Sequence, residues 1–142
     1  MKNTSYPKIL VCCDGSKYSE RAITHACNLA KNDGSSLSLI YVVDRSVGLD
    51  LFDRREYLMI LKNYGAKVLK KARWTASQKG VKAKTVLKEG KVANEIVKYA
   101  KKGNFRLIVV GSKGLGAVSR LFLGSVSTNL AQHSLCSVLI VK

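Results

Sequence analysis

The chain has 142 residues, 46% of them hydrophobic, a length that suits one domain able to bury roughly two thirds of its unfolded surface. No apolar run approaches the ~20 residues that a bilayer span requires, which excludes a membrane-spanning helix and points to a soluble protein. Lysine and arginine number 25 against 9 aspartates and glutamates, for a formal net charge of +16. That excess singles out anionic partners (nucleotide, nucleic acid, acidic protein or anionic lipid) without fixing a fold.

The start of the chain, Met1 to Lys8, is polar and runs straight into an apolar stretch, with no export signal before it. The expected location is the cytoplasm. A first strand is predicted over Lys8 to Cys13. Its adjacent Cys12 and Cys13 point to opposite faces, which argues against a ligand pair. With no C-x-x-C pair and no histidine at zinc spacing, Cys12, Cys13, Cys27 and Cys136 read as small hydrophobes in a reducing compartment. Ser16 then caps a helix whose stripe is Ala22, Ile23, Ala26, Cys27 and Ala30, ending near Asp33-Gly34.

A second strand is expected from Ser36 to Val43, followed by an irregular stretch from Asp44 to Asp53. A long helix from about Arg54 to Gln78 carries Leu58, Leu61, Val68, Leu69, Ala72 and Ala76 on one arc. On the opposite arc lie Lys62, Lys67, Lys70, Lys71 and Arg73, with Trp74 among them. No acidic residue occurs between Tyr57 and Lys88. The remaining elements are a strand at Lys82 to Leu87, a helix at Lys91 to Lys102, a strand at Leu107 to Gly111, a helix at Ser125 to His133 and a strand at Ser137 to Val141.

Strands alternating with helices, without linker or repeat, indicate one α/β domain with a mostly parallel sheet. Right-handed crossovers restrict its winding. The expected architecture is an open, doubly wound, Rossmann-like sheet of five strands in the order 3-2-1-4-5, with helices on both faces. Strands one and four then adjoin at the switch point, where such folds bind ligands beyond the strands' carboxyl ends.

The segments leaving those two strands carry the chemistry. After strand four the sequence reads Gly111-Ser112-Lys113-Gly114, then nine residues, then Gly124-Ser125-Val126-Ser127 opening a helix. Glycines let the backbone turn close to an oxyanion, and a helix N-terminus offers free amides and a favourable dipole. Ser125 and Ser127 add hydroxyls, and Lys113 and Arg120 lie on the intervening loop within expected reach of phosphates. After strand one, Asp14 places a carboxylate beside this cradle, suited to an adenine amino group or a ribose hydroxyl. The same residue can equally serve as a helix cap. The end of strand two, around Val42, offers backbone groups at the same rim.

With Gly111, Gly114, Gly124 and Ser125 in a G-x-x-G-x9-G-S/T pattern, Asp14-Gly15-Ser16 after strand one, and Gly90 through Ile96, the chain resembles the universal stress protein family over essentially its whole length. The resemblance implies five parallel strands and membership of the family's ATP-binding class. It implies that Asp14 and Val42 hold adenine, with Cys12 where related ATP binders often have proline. Gly111, Gly114, Gly124, Ser125, Val126 and Ser127 would hold ribose and phosphates. It further implies a homodimer paired through Ser137 to Val141, an otherwise unpaired edge. The chain departs from the usual pattern at Cys12, at Arg106 before strand four, and at Leu135 and Ser137, which replace prolines around Cys136.

A catalyst needs a nucleophile, a base or a metal site. His25 falls on a helix face, and His133 near a helix C-terminus, where a cation meets the dipole well. There is no G-x-x-x-x-G-K-S/T loop, no strand-borne aspartate in a Walker B setting, and no Ser-Gly-Gly loop of the related pyrophosphatase-type synthetases. No acidic cluster marks a protein-supplied metal site, so any Mg²⁺ would come with phosphate oxygens. The expected function is an adenine-nucleotide switch or accessory, with ATP, ADP or AMP as ligand, an unidentified protein partner and at most slow hydrolysis. The alternative is a nucleic-acid or acidic-partner binding module on the basic face of the long helix, where Trp74 either stacks on a partner or packs under a loop.

Overall fold

The computed structural model describes residues 6–45, 54–115 and 122–142. Five strands, β1 (Lys8–Cys12), β2 (Ser36–Asp44), β3 (Ala83–Gly90), β4 (Leu107–Gly111) and β5 (Ser137–Val141), alternate with four helices, α1 (Lys17–Asp33), α2 (Arg54–Gln78), α3 (Val92–Lys102) and α4 (Ser125–His133). The strands form one parallel sheet in the order β3-β2-β1-β4-β5, as the sequence predicts.

The central strands are nearly continuous apolar runs because both faces of the sheet are covered. Alternate residues serve opposite cores. Ile9, Val11 and Cys13 pack with Ala22, Ala26, Leu69 and Ala72 beneath α1 and α2. Leu10 and Cys12 pack with Ile96, Ala100 and Leu130 beneath α3 and α4. Cys12 and Cys13 thus face opposite ways, and all four cysteines are free.

Ser16 caps α1, accepting from the Ser19 amide at 3.1 Å, and Gly34 ends the helix in the left-handed conformation at φ 71°. β3 runs three residues past the predicted Leu87, since Lys88, Glu89 and Gly90 pair with Val42, Val43 and Asp44. Asp44 accordingly belongs to β2, and of the predicted irregular stretch from Asp44 to Asp53, residues 46–53 lie outside the described residues. Charges are tolerated on β3 because it is an edge: Glu89 meets Lys62 at 2.6 Å and Arg45 at 3.7 Å. The Lys62 hydrogen bond holds the Glu89 carboxyl below its usual range. Its stabilising contribution is therefore present above the unfolded-state pKa and is lost as pH falls through the lower folded value.

The long helix α2 contains Gly65 in its interior, a position where glycine ordinarily costs about 1 kcal/mol against alanine. A Cβ there would lie 2.5 Å from Tyr41 Cδ1 and 3.0 Å from Leu87 Cδ1. Tyr41 is itself held edge-on by Tyr64, with ring centroids 6.0 Å apart. The helix can cross the sheet at this height only without a side chain. Gly65→Ala is expected to lower stability by about 1–2 kcal/mol, the overpacking outweighing the propensity gain, and a raised melting temperature would contradict this packing.

Candidate functional site

The carboxyl ends of β1, β2 and β4 open into a cavity of about 560 Å³, within the size range of small-ligand sites. Cys12, Asp14, Val42, Gly111, Lys113, Gly114, Gly124, Ser125, Val126 and Ser127 all line it. Arg120 lies outside the described residues.

One side of the cavity is apolar. Ile40 and Val42 from β2, Val110 from β4, Val92 and Ile96 from α3, and Val126 from α4 form an apolar slot. The other side is polar and is built by two turns. In the first, the Asp14 Oδ1 accepts the Ser16 amide at 2.8 Å, and the Asp14 amide donates to Ser19 Oγ at 3.2 Å. Asp14 thus braces the turn before α1 while Ser16 caps the helix. Its second oxygen, Oδ2, faces Gly114, where a Cβ would approach it to 3.0 Å.

In the second turn, the Gly124 amide donates to the Ser112 carbonyl at 2.7 Å, which closes the two glycine segments against each other. The buried Ser127 hydroxyl shares its proton between the carbonyls of Ser112 and Gly124, each at 3.0 Å. Ser127 therefore ties the turn together and leaves its amide, rather than its hydroxyl proton, for the cavity. Gly124 caps α4 without a side-chain hydrogen bond, and the first amides of a helix have no intrahelical partner. Ser125, Val126 and Ser127 thus bring an unspent anion-binding end to the cavity. A Cβ on Gly124 would come within 3.3 Å of Lys113 Cα and the Ser112 carbonyl.

Gly111 also lines the cavity, but its missing side chain serves a second purpose: a Cβ there would sit 2.8 Å from the backbone carbon of Tyr18. Burial pushes the Cys12 and Cys13 thiols far up, with neighbouring Cys13 and Asp14 adding to it for Cys12, and Asp14 for Cys13. Burial likewise raises Tyr41, with Tyr64 and Asp14 contributing. These groups stay protonated near neutral pH and offer no ready nucleophile. Among the described residues no cluster of three His, Cys, Asp or Glu could hold a metal.

Sequence reasoning missed the contributions of α2 and of the cavity mouth. Tyr57 and Leu61 reach the cavity from α2, and Tyr41 from β2. Phe122, 72% exposed, and Leu123 stand at the mouth just before the cradle. Tyr64 joins α2 to the first turn by donating to the Asp14 carbonyl at 3.4 Å. The apolar arc of α2 shows that this helix covers the sheet, yet only the fold places its first turns over the switch point. His25 and His133 are both exposed, His133 in the last turn of α4 as expected.

A cavity at the switch point of a doubly wound sheet is where proteins of this class take small ligands. Residues 5–142 match the model of the universal stress protein family, and the chain belongs to that family. It is 41% identical over 140 residues to a universal stress protein of Methanocaldococcus jannaschii, a match covering 96% of this chain and 82% of that one. Among solved structures, the universal stress protein UspA from Lactobacillus plantarum superposes with a TM-score of 0.89 at 26% identity, covering 99% of this chain and 100% of that one. A universal stress protein in complex with cAMP superposes with a TM-score of 0.75 at 26% identity, covering 98% and 99%. No helix among the described residues is long and apolar enough to cross a membrane.

Proposed function

We propose that this chain binds an adenine nucleotide, with ATP as the preferred ligand, and works as a nucleotide-dependent switch or accessory with at most slow hydrolysis. The observation that carries the reading is the juxtaposition of an apolar slot with the open N-terminus of α4 in one cavity. The complex of a similar family member with cAMP supports an adenine nucleotide in this fold. Asp14 and the backbone around Val42, beside Cys12, would hold the base. Gly111, Gly114, Gly124 and the amides of Ser125, Val126 and Ser127 would hold ribose and phosphates, with Lys113 and Arg120 supplying charge.

The cradle suits the group sterically, since Cβ atoms at Gly114 and Gly124 would crowd the turn that faces it. Mg²⁺ would enter on phosphate oxygens and water. Hydrolysis is slow on this reading because the lining among the described residues holds no histidine, and its thiols and Tyr41 phenol are raised away from ionisation. The test is to denature the purified protein and chromatograph what it releases. Stoichiometric adenine nucleotide supports the reading. Protein that releases none, and takes up none when incubated with ATP, overturns it.

The assembly proposed is a homodimer through β5, which lies at an edge of the sheet with Val138, Leu139 and Ile140 half-buried. Light scattering that gives a monomer mass at working concentration contradicts it. The four free cysteines fit work in the reducing cytoplasm, and cell fractionation that finds the protein elsewhere contradicts that placement.

A further inference from the structure

The two arcs of α2 do different things. Tyr57 and Leu61 face the cavity, and Leu69, Ala72 and Ala76 are buried against the sheet. On the solvent side Lys67, Lys70, Lys71 and Trp74 are exposed, Trp74 to 62%. Their spacings are three, four and seven residues, which puts Lys70 and Lys71 one turn from the indole and Lys67 two turns away on one stripe. An indole exposed to that degree covers no core, so Trp74 does not pack under a loop.

The charge on this face is largely uncompensated. Lys71 pairs with Glu20 at 3.2 Å and Lys62 with Glu89, but Lys67, Lys70 and Arg73 have no ion pair among the described residues. The sequence from Tyr57 to Lys88 holds no acid to neutralise them. Beside Trp74, where α2 ends and β3 begins, Arg73, Ser77 and Lys82 line a shallow recess of about 280 Å³. Gly80 borders it with open space where a side chain would stand.

We propose that this face binds single-stranded nucleic acid, Trp74 stacking on a base while Lys67, Lys70 and the Arg73–Lys82 recess hold successive phosphates. A flat, exposed aromatic ringed by cations is the arrangement that grips single strands without sequence preference. Successive lysines one helical turn apart, ~5 Å along the axis, follow a chain of point charges. An acidic protein fits less well. Its carboxylates would use the same lysines, yet a carboxylate chain offers no flat base on which the exposed indole stacks. The recess beside Trp74 is lined by Arg73, Ser77 and Lys82 together with Gly80, Val81 and Ala83, and it offers two cations to neighbouring phosphates.

This function is separate from the nucleotide cavity, and the test keeps it so. An oligothymidylate of about 20 nucleotides, long enough for several contacts, is titrated into protein saturated with ATP, which occupies the cavity while thymine avoids its adenine slot. Trp74 is the sole tryptophan, so its fluorescence reports stacking directly. Quenching is expected, with binding weakening by about 0.7 logarithmic units per phosphate contact for each tenfold rise in salt. In Lys67→Glu/Lys70→Glu, followed by anisotropy of a labelled oligonucleotide, affinity should fall at least tenfold while ATP binding is unchanged. Trp74→Ala should lose roughly tenfold and Trp74→Phe should recover part of it, as expected for stacking. Absence of binding at about 50 mM salt, where such contacts are strong, overturns the proposal. So does unchanged affinity in the double variant, or equal affinity for polyglutamate of the same charge, which would assign the face to acidic proteins.

Discussion

Ser125→Glu is expected to reduce ATP affinity at least 100-fold while leaving the protein as stable as before, or slightly more so. Ser125 is the first residue of α4, exposed and lining the cavity. An acid in the first turn of a helix is favourable by about 0.3–1 kcal/mol, because it meets the positive end of the dipole. The same carboxylate stands where the phosphates are proposed to lie. Two like charges about 4 Å apart repel by about 4 kcal/mol at the effective dielectric of a protein surface. About 2.8 kcal/mol of that is already a hundredfold loss, and the carboxylate also competes for the amides of Ser125 to Ser127. Binding and stability should therefore move in opposite directions. A variant that binds ATP as well as the parent would place the phosphates away from α4. Titration calorimetry and thermal melts on one preparation give both numbers.

The second large effect is on the fold. Gly111→Ala is expected to cost about 3 kcal/mol, the upper end of ordinary overpacking, and to lower the melting temperature by roughly 10 °C for a domain of this size. The added methyl would meet the Tyr18 backbone carbon and Cβ at 2.8 Å and the Ser19 amide at 3.0 Å. These atoms belong to the first turn of α1, which cannot turn aside as a flexible side chain would. Relief requires α1 to move from β4. That movement also displaces Ser19, whose hydroxyl receives the Asp14 amide, so nucleotide binding should weaken along with stability. An unchanged melting temperature would show that α1 and β4 do not approach this closely.

Gly111 also shows how far the sequence can be read. Its place in a spaced glycine pattern at the end of an apolar run marks the switch point, and the cavity lies there. The pattern does not reveal that this glycine is required by helix packing, because the Tyr18 backbone comes from a distant part of the chain. Gly65 is similar. As a helix-interior glycine it looks unfavourable, and only the crossing of α2 over Tyr41 and Leu87 accounts for it.

Element order and topology were legible because β1 and β4 are buried on both faces and so appear as unbroken apolar runs. The end of β3 was not legible. Lys88 and Glu89 have poor strand propensity, and they extend the strand because it borders solvent and finds Lys62 and Arg45. Trp74 was correctly expected on the charged arc by helical spacing alone. Whether the indole was covered depended on the loops around it, and the fold leaves it exposed. In the cradle, the spacing located the turns. The buried Ser127 hydroxyl, however, serves as an internal tie, which depends on the fold of the Ser112 turn.

Calorimetric titration of nucleotide-free protein with ATP, using GTP as comparison, tests whether the switch-point cavity takes an adenine nucleotide. Saturable binding of one ATP per chain, weaker binding of GTP, and loss of ATP binding in Ser125→Glu are expected. No binding of ATP at about 1 mM, where even an interaction of ~4 kcal/mol would be half saturated, would contradict this and leave the cavity without its proposed ligand.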